Sequence, residues 1–188
     1  METNEIFDTL NDMVVRLNEL GVEYMVTGSV AMSSYVAARS TMDIDVIIEI
    51  ERSDIERFEQ RFAGDYYVSL ESIRQAKERN SMFNVMNFAT GIKVDFITRK
   101  PNAFEAAKFS RRRRSKIGEI EFWVISKEDL ILSKLWWAKD SHSERQFEDV
   151  RRLLESGTDA ATIDEEISSQ GLSEVWEAYL EWMIRVQK

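Results

Sequence analysis

The chain has 188 residues, of which 44% are hydrophobic and 31% are charged, a balance that indicates a folded domain and argues against disorder. It contains no cysteine, which excludes disulfides, zinc fingers, iron–sulfur sites and thiol nucleophiles. The 25 Lys and Arg residues against 34 Asp and Glu residues give a net charge of −9, unlike a protein that holds duplex DNA mainly by its phosphates. The acidic N-terminus does not resemble a signal peptide, and no apolar run approaches the roughly 18 residues of a membrane span. These features favour a soluble, cytoplasmic protein.

The first two thirds of the chain predict alternating helices and strands, and residues beyond Ser126 predict helices alone. The chain begins with a predicted helix at 6–20 ended by Gly21, a strand at 24–26, a helix at 29–38 and a strand at 43–50. A helix opened by a Ser53–Glu56 capping box follows, then a strand at 66–70 and a helix or turn at 71–79. The last predicted elements of this part are a hairpin of 82–88 with 92–98, a short helix after Pro101 and a strand at 120–125. We therefore expect an α+β domain, a mixed sheet flanked by helices, over residues 1–125, and a helical region over 126–188 that packs on it.

The helical part offers three capping residues and a tryptophan pair. Ser126, Ser143 and Thr162 are predicted to cap three helices. The last helix is predicted to bury Trp176, Leu180 and Met183. Trp136 and Trp137 are predicted to pack in a helical core, with the stacking of a base as the alternative.

Three aspartates form the first chemical pattern. Asp43 and Asp45 are two residues apart on a predicted strand and so point to the same face, while Ile44 and Val46 can face the core. Two carboxylates side by side repel each other unless a cation lies between them. Asp95 interrupts an otherwise apolar strand, and three carboxylates meet if that strand neighbours the first. Oxygen-only ligation suits Mg²⁺ or Mn²⁺.

Gly28 and Ser29 form the second pattern, at the junction of a strand and a helix. Free backbone N–H groups at a helix N-terminus make an anion site, and a triphosphate fits it. A phosphate site beside carboxylate-bound metals is the apparatus of two-metal phosphoryl transfer. On this basis Gly28 and Ser29 are predicted to hold the triphosphate of a nucleotide.

The ordered set of Gly28-Ser29, Asp43-Ile44-Asp45 and Asp95 resembles the nucleotidyltransferase superfamily with the DNA-polymerase-β-type catalytic fold. The resemblance implies transfer of a nucleoside monophosphate from an NTP to a hydroxyl acceptor, with Mg²⁺ or Mn²⁺ as cofactor. Asp43, Asp45 and Asp95 would then be the catalytic metal ligands, and Asp95 would also help to deprotonate the acceptor.

A closer resemblance is to the branch that includes the AbiE-type toxins of bacterial toxin–antitoxin systems. Members of that branch have the motif Arg-x-Thr-x-Asp-Ile-Asp, which matches residues 39–45, and a Lys-Leu on a later helix followed by an Asp. It implies nucleotide binding by four more residues and a cognate antitoxin or toxin protein as partner. These four are Arg39, Thr41, Lys134 and Asp149. Arg39 has an equal alternative as a surface residue paired with an acid, and Lys134 as a salt-bridge lysine.

The acceptor is left open among RNA, a protein and a small molecule. Four consecutive arginines in an acidic chain predict either an RNA contact or a site for an acidic partner, against the alternative of a solvated loop. They are Arg111, Arg112, Arg113 and Arg114. Two other functions compete with the toxin: a nucleotide-binding regulator or antitoxin-like module without turnover, and an antibiotic-modifying adenylyltransferase that acts on small polyols.

Overall fold

The computed structural model describes residues 2–37, 41–141, 143–158 and 160–186. The described residues form two compact units: the first takes those of 1–34 and 38–125, and the second takes 35–37 and those of 126–188. Strands occur in the first unit and the second is helical, which confirms the α+β class and the C-terminal helices. None of the described helices is both long and apolar enough to cross a membrane.

The first unit contains five helices and seven strands within its described residues. The helices are α1 (Glu2–Leu20), α2 (Gly28–Met32), α3 (Ile55–Phe62), α4 (Leu70–Arg79) and α5 (Ala103–Ser110). The strands are β1 (Glu23–Thr27), β2 (Asp43–Glu49), β3 (Tyr66–Tyr67), β4 (Met82–Asn87), β5 (Lys93–Thr98), β6 (Arg113–Ile117) and β7 (Ile120–Val124).

All seven strands join one mixed sheet in the order β3–β4–β5–β2–β1–β7–β6. The central strand β2 runs parallel to β5 and antiparallel to β1. Side chains alternate between the two faces of a strand, and in β2 the buried residues Ile44, Val46 and Ile48 lie on one face. The acidic residues of β2 lie on the other face. This alternation, which the sequence predicted, sets which side of the sheet carries chemistry.

An aromatic cluster fills the core on the apolar face of the sheet. Phe58 and Phe62 of α3 stack on each other at 4.6 Å and meet Phe96 of β5 edge to face. Phe83 of β4 stacks on Phe96 at 5.3 Å, and Tyr66 of β3 closes the cluster against Phe62. Such pairs contribute about 0.5–1.5 kcal/mol each beyond the area that they bury. The cluster therefore fixes β4 and β5 against α3.

Arg16 ties α1 to the region around α3. Its side chain is buried, and it donates to Asp12 at 2.8 Å, to Asp65 at 2.6 Å and to the carbonyl of Arg61 at 2.6 Å. Its guanidinium also lies 5.1 Å from the ring centroid of Tyr66. Burial disfavours this charge, but the hydrogen bonds to Asp12 and Asp65 outweigh that effect and raise the pKa of Arg16.

The second unit contains four helices among its described residues: α6 (Lys127–Ala138), α7 (Glu144–Glu155), α8 (Ala160–Ser169) and α9 (Ser173–Val186). Ser126 caps α6 as predicted, because its hydroxyl accepts from the backbone N–H of Asp129. The helix α8 begins at Ala160, so Thr162 is not its cap. Ser143 precedes α7 without a side-chain capping bond within the described region.

Two predictions about apolar residues of the second unit are wrong. Trp136 and Trp137 are 53% and 64% exposed, because α6 uses residues such as Ile131 and Leu135 for its buried face. In α9 the buried residues are Val175, Tyr179 and Trp182, one position before the predicted set. Both sets have helical spacing, and the observed one brings Tyr179 and Trp182 each within 5.8 Å of Phe147, measured between ring centroids.

Two local predictions in the first unit also differ from the structure, and one strand was not predicted. Ser53 lies inside a 3-10 turn at Arg52–Asp54, and α3 begins at Ile55 without a side-chain capping bond, so the capping box is not formed. The helix predicted for 29–38 ends at Met32, where Ser33 and Ser34 favour a turn. Strand β6 was not predicted, because its basic sequence lacks an apolar alternation.

We expect the Arg16→Met variant to lower the free energy of unfolding by roughly 1–3 kcal/mol, because the three hydrogen bonds of the buried guanidinium group are lost. Arg57→Met is the matched control, since Arg57 is 61% exposed and pairs with Asp54 at 3.3 Å. Such a surface pair contributes at most about 1 kcal/mol. Urea unfolding of both variants measures the difference, and equal losses would show that the Arg16 network does not stabilise the fold.

Candidate active site

Strand register gathers the three predicted aspartates on one face of the sheet. Asp45 lies opposite Asp95 across the parallel pair of β2 and β5, and Asp43 lies opposite Lys93. Cross-strand partners project to the same side of a sheet, and neighbouring strands are about 4.8 Å apart. The strand of Asp95 is thus the neighbour of the strand of Asp43, which is the condition under which the sequence places three carboxylates together.

Gly28 lies directly against Asp45. Its φ of +64° is a left-handed conformation, and a Cβ added there would be 1.9 Å from Oδ2 of Asp45. Backbone conformation and space therefore both require glycine at this position. On β1, the preceding Thr27 is the register partner of Asp45, and the following Ser29 is buried in the short helix α2. The Gly-Ser motif and the second aspartate of the Asp-Ile-Asp motif thus form one local structure.

Asp95 is buried and is held by a lysine of its own strand. Its Oδ2 lies 2.7 Å from Nζ of Lys93, and its Oδ1 has no hydrogen-bond partner within the part of the chain that the structure describes. The bond to Asp95 raises the pKa of Lys93, partial burial opposes that effect, and the charges of Asp43 and Asp45 add to it. The ammonium group is therefore the cation that the three carboxylates share.

Lys93 was not identified from the sequence, although a usable signal exists. It precedes Asp95 by two residues on a strand, which is the spacing that paired Asp43 with Asp45. The same rule applied to a cation would have placed Lys93 on the acidic face.

Thr41 lies at the edge of the site. Its hydroxyl donates to Oδ1 of Asp43 at 2.6 Å, which orients that carboxylate before β2 begins. Arg39, the other nucleotide-binding residue predicted in this loop, lies outside the described residues.

The remaining predicted ligands, Lys134 and Asp149, belong to the second unit and bind each other. Nζ of Lys134 lies 2.6 Å from Oδ2 of Asp149, and both side chains are buried. The pair joins α6 to α7. Contact of either residue with a nucleotide stays a prediction.

Arg113 and Arg114 lie in strand β6, and Arg111 and Arg112 lie in the short connection from α5 to that strand. Arg112 donates to Glu23 at 2.8 Å and to the carbonyl of Phe109 at 2.9 Å. The guanidinium groups of Arg112 and Arg114 lie 4.9 Å and 4.6 Å from the ring centroid of Trp123. Arg112 thus has structural partners, while an RNA contact by this strand stays a prediction.

The acidic site offers the oxygen ligands that suit a divalent cation, but its carboxylates are not grouped around one position. Asp43, Asp45 and Asp95 offer oxygen ligands only, and the buried Oδ1 of Asp95 is an acceptor with no donor among the described residues. Over the described ranges, however, no three acidic or histidine side chains are grouped closely enough to hold a metal ion. Lys93 holds one oxygen of Asp95. The chemistry of the donor set, carboxylate oxygens alone, is the kind that suits Mg²⁺ or Mn²⁺.

We expect Lys93→Met to destabilise the protein in EDTA by roughly 1–3 kcal/mol, because the buried Asp95 loses the ammonium group that is bound to it. Millimolar Mg²⁺ should recover most of this loss in the variant and add less to the wild type, because metal binding to the folded state raises stability. Lys116→Met is the control, since Lys116 of β6 pairs with the exposed Glu119 in the turn before β7. Thermal unfolding with and without Mg²⁺ measures both effects. A variant as stable as the wild type in EDTA would contradict the role of Lys93.

Comparison with known protein families gives one match. The sequence model of the family described as "Nucleotidyl transferase AbiEii toxin, Type IV TA system" matches residues 14–182. No curated protein sequence is significantly similar to the chain.

Similar solved structures share the fold. The antibiotic-resistance factor ANT(2'')-Ia has a TM-score of 0.56 and 14% identity, over 100% of this chain and 95% of that chain. TM1012 of Thermotoga maritima, a presumed nucleotidyltransferase, has a TM-score of 0.55 and 18% identity, over 77% of this chain and 92% of its own. A nucleotidyltransferase-like protein of Paracoccidioides brasiliensis has a TM-score of 0.50 and 12% identity, over 95% and 94% of the two chains.

The family match spans most of the chain, including Gly28-Ser29, all three aspartates and the Lys134–Asp149 pair. The chain belongs to the AbiEii nucleotidyltransferase toxin family of type IV toxin–antitoxin systems.

Proposed function

We propose that this chain is a metal-dependent nucleotidyltransferase that moves a nucleoside monophosphate from an NTP to a hydroxyl acceptor and releases pyrophosphate, as a component of a toxin–antitoxin system. Residues 1–125 carry the catalytic core in this proposal. The observation that carries it is the position of Asp45, which lies against the backbone of Gly28 and opposite Asp95 in the sheet. Asp45 therefore lies where the proposed phosphate site meets the acidic site.

Gly28 and Ser29 form the side of the proposed site that binds the triphosphate of the NTP, which we call the donor side. Glycine leaves the backbone open to close approach, and the backbone N–H groups and the Ser29 hydroxyl can donate to phosphate oxygens. The helix that follows has only five residues, so these local donors matter more than a helix dipole. Thr41 and Arg39 complete the donor side as predicted nucleotide ligands.

Asp43, Asp45 and Asp95 form the acidic side and would hold the metal. Bound Mg²⁺ or Mn²⁺ supplies positive charge that neutralises the triphosphate and the developing charge of phosphoryl transfer. Oδ1 of Asp95, which has no hydrogen-bond partner in the described ranges, can accept the proton of the attacking hydroxyl. Thr41 keeps Asp43 oriented toward this face through its 2.6 Å hydrogen bond. In the second unit, Lys134 and Asp149 are proposed as a nucleotide-binding pair.

We expect Asp45→Asn and Asp95→Asn each to reduce nucleotidyl transfer at least about a thousandfold, because each removes a charge from the transition-state environment. The assay uses each NTP labelled at the α-phosphate, Mg²⁺ and a cell extract as the source of acceptors. Asp140→Asn, a change at an exposed aspartate of the second unit, is the control and should retain full transfer. Undiminished transfer by Asp45→Asn would contradict the assignment.

We expect Gly28→Ala to weaken nucleotide binding at least about tenfold, because its Cβ displaces the Asp45 carboxylate from the donor side. Gly118→Ala is a close control: Gly118 also has positive φ, at +58°, but a Cβ there meets no atom within 4 Å. Both variants lose roughly 1 kcal/mol of stability from the backbone conformation, and only the first should lose nucleotide affinity. Titration with a fluorescent nucleotide measures the affinity, and equal affinities would contradict the proposed donor side.

A second function is favoured by the bond between Lys93 and Asp95. That bond ties up one carboxylate, so a site that keeps it would bind nucleotide without turnover, as a regulator or antitoxin-like module does. The transfer assay separates the two functions. Nucleotide binding by the wild type with no labelled product from any extract supports the regulator.

A further inference from the structure

We propose that the open sheet surface beside Asp95 binds the acceptor, and that the acceptor is a small hydroxyl compound whose body is uncharged and apolar or aromatic. We call this surface the acceptor platform and define it as Tyr67, Met82, Asn84 and Met86. The inference rests on the proposed function, because it names the substrate class of the same site.

Strand register places the platform on the acidic face of the sheet. In the antiparallel pair of β4 and β5, Asn84 lies opposite Asp95 and Met86 lies opposite Lys93. Tyr67 of β3 lies opposite Met86 in turn. Register partners project to the same face, so the platform continues the catalytic face for two more strands. Asn84 is one strand spacing from Asp95, about 4.8 Å between backbones.

Exposed apolar side chains concentrate around the carboxylates. Among the described residues of the first unit, six large hydrophobic side chains are exposed, and five of them lie on β3, on or just after β4, or directly before Asp43. These five are Met42, Tyr67, Met82, Met86 and Phe88, with exposures between 45% and 72%. Val15 on α1 is the sixth. Contiguous exposed apolar surface costs solubility and marks binding sites, especially next to polar groups with a chemical role.

The order of the strands gives the platform its role. Gly28 follows β1, the aspartates lie on β2 and β5, and the platform lies on β4 and β3, so the phosphate side and the platform flank the carboxylates. Phosphoryl transfer needs the attacking oxygen roughly in line with the leaving group, on the opposite side of the phosphorus atom. An acceptor lying on the platform presents its hydroxyl at Asp95 from the side away from the phosphate site.

The side chains of the platform select for an uncharged body. A thioether pair and a phenol ring offer dispersion and ring contacts, and the amide of Asn84 can both donate and accept a hydrogen bond. None of the four carries a charge. The platform residues themselves therefore offer no partner to the phosphates of a nucleic acid or to the ammonium groups of a polycation.

Methyl NMR of the eight methionines tests binding without using transfer activity. The protein is labelled with ¹³C at the methionine methyl groups, and the signals of Met82 and Met86 are assigned from Met→Leu variants. Three probes are titrated: an uncharged aryl glucoside, the polycation tobramycin and a short single-stranded RNA. We expect saturable shifts of the Met82 and Met86 signals with the aryl glucoside alone.

Met86→Glu should weaken the binding of the aryl glucoside at least about tenfold, because a charge is introduced into an apolar contact. Val15→Glu makes the same change at an exposed residue of α1 and should leave the affinity unchanged. In the transfer assay, the aryl glucoside should also act as an acceptor with a KM that rises in Met86→Glu and not in Val15→Glu.

Three results would overturn the inference: no saturable shift with the aryl glucoside, shifts of the platform methionines by RNA or tobramycin, or a dimer in solution that Met86→Glu converts to a monomer. The last would show that the platform covers a second copy of the chain. Failure of the proposed function is a separate result, seen as loss of nucleotide binding or transfer while the glucoside still shifts Met82 and Met86.

Discussion

The repulsion among three carboxylates on one face of two adjacent strands is the constraint on which this structure depends. Asp43, Asp45 and Asp95 occupy neighbouring register positions, and Asp95 is buried. Like charges at this spacing destabilise a fold unless a cation compensates them. Lys93 provides that cation from within the same strand pair. The lysine compensates part of this negative charge, and it also holds one of the carboxylates that we propose as metal ligands.

The sheet fixes which elements lie on either side of the three carboxylates. The aromatic cluster around Phe96 fixes β4 and β5 on the apolar face, so the acidic face has a defined neighbour on each side. On one side Gly28 brings backbone against Asp45, and on the other side β4 brings uncharged side chains beside Asp95. Packing on the apolar face of the sheet thus fixes which residues lie next to the carboxylates on the acidic face.

Much of the site could be predicted from the sequence because its signals are local. The spacing of two between Asp43 and Asp45 fixes a shared face, and Gly-Ser after a strand fixes a turn. The adjacency of β2 and β5 is a long-range fact that only the resemblance could suggest. Lys93 was not predicted as a site residue, because a lysine near an aspartate on a strand is ordinarily solvated. The contact of Gly28 with Asp45 depends on atomic positions that no spacing encodes.

The errors in the fold have a different physical origin. Helical periodicity in α9 fits two phases one residue apart, and ring contacts with Phe147 decide between them. The tryptophans of α6 are large apolar residues, but aliphatic neighbours had already filled the buried face. Strand β6 pairs with β7, and the guanidinium groups of Arg114 on β6 and of the preceding Arg112 lie over Trp123 of β7, so a basic sequence has tertiary partners as a strand. Each case depends on tertiary partners.

The ion pair of the second unit has no adequate explanation in stability alone. Lys134 and Asp149 are both buried, and removing two such charges from water offsets most or all of their attraction. Two apolar residues of similar volume would join α6 to α7 at least as well. The fold therefore keeps a buried lysine charge, held in one position by Asp149, where packing does not require it. That retention favours a role for Lys134 in which its charge meets an anion, as the proposed contact with a nucleotide requires.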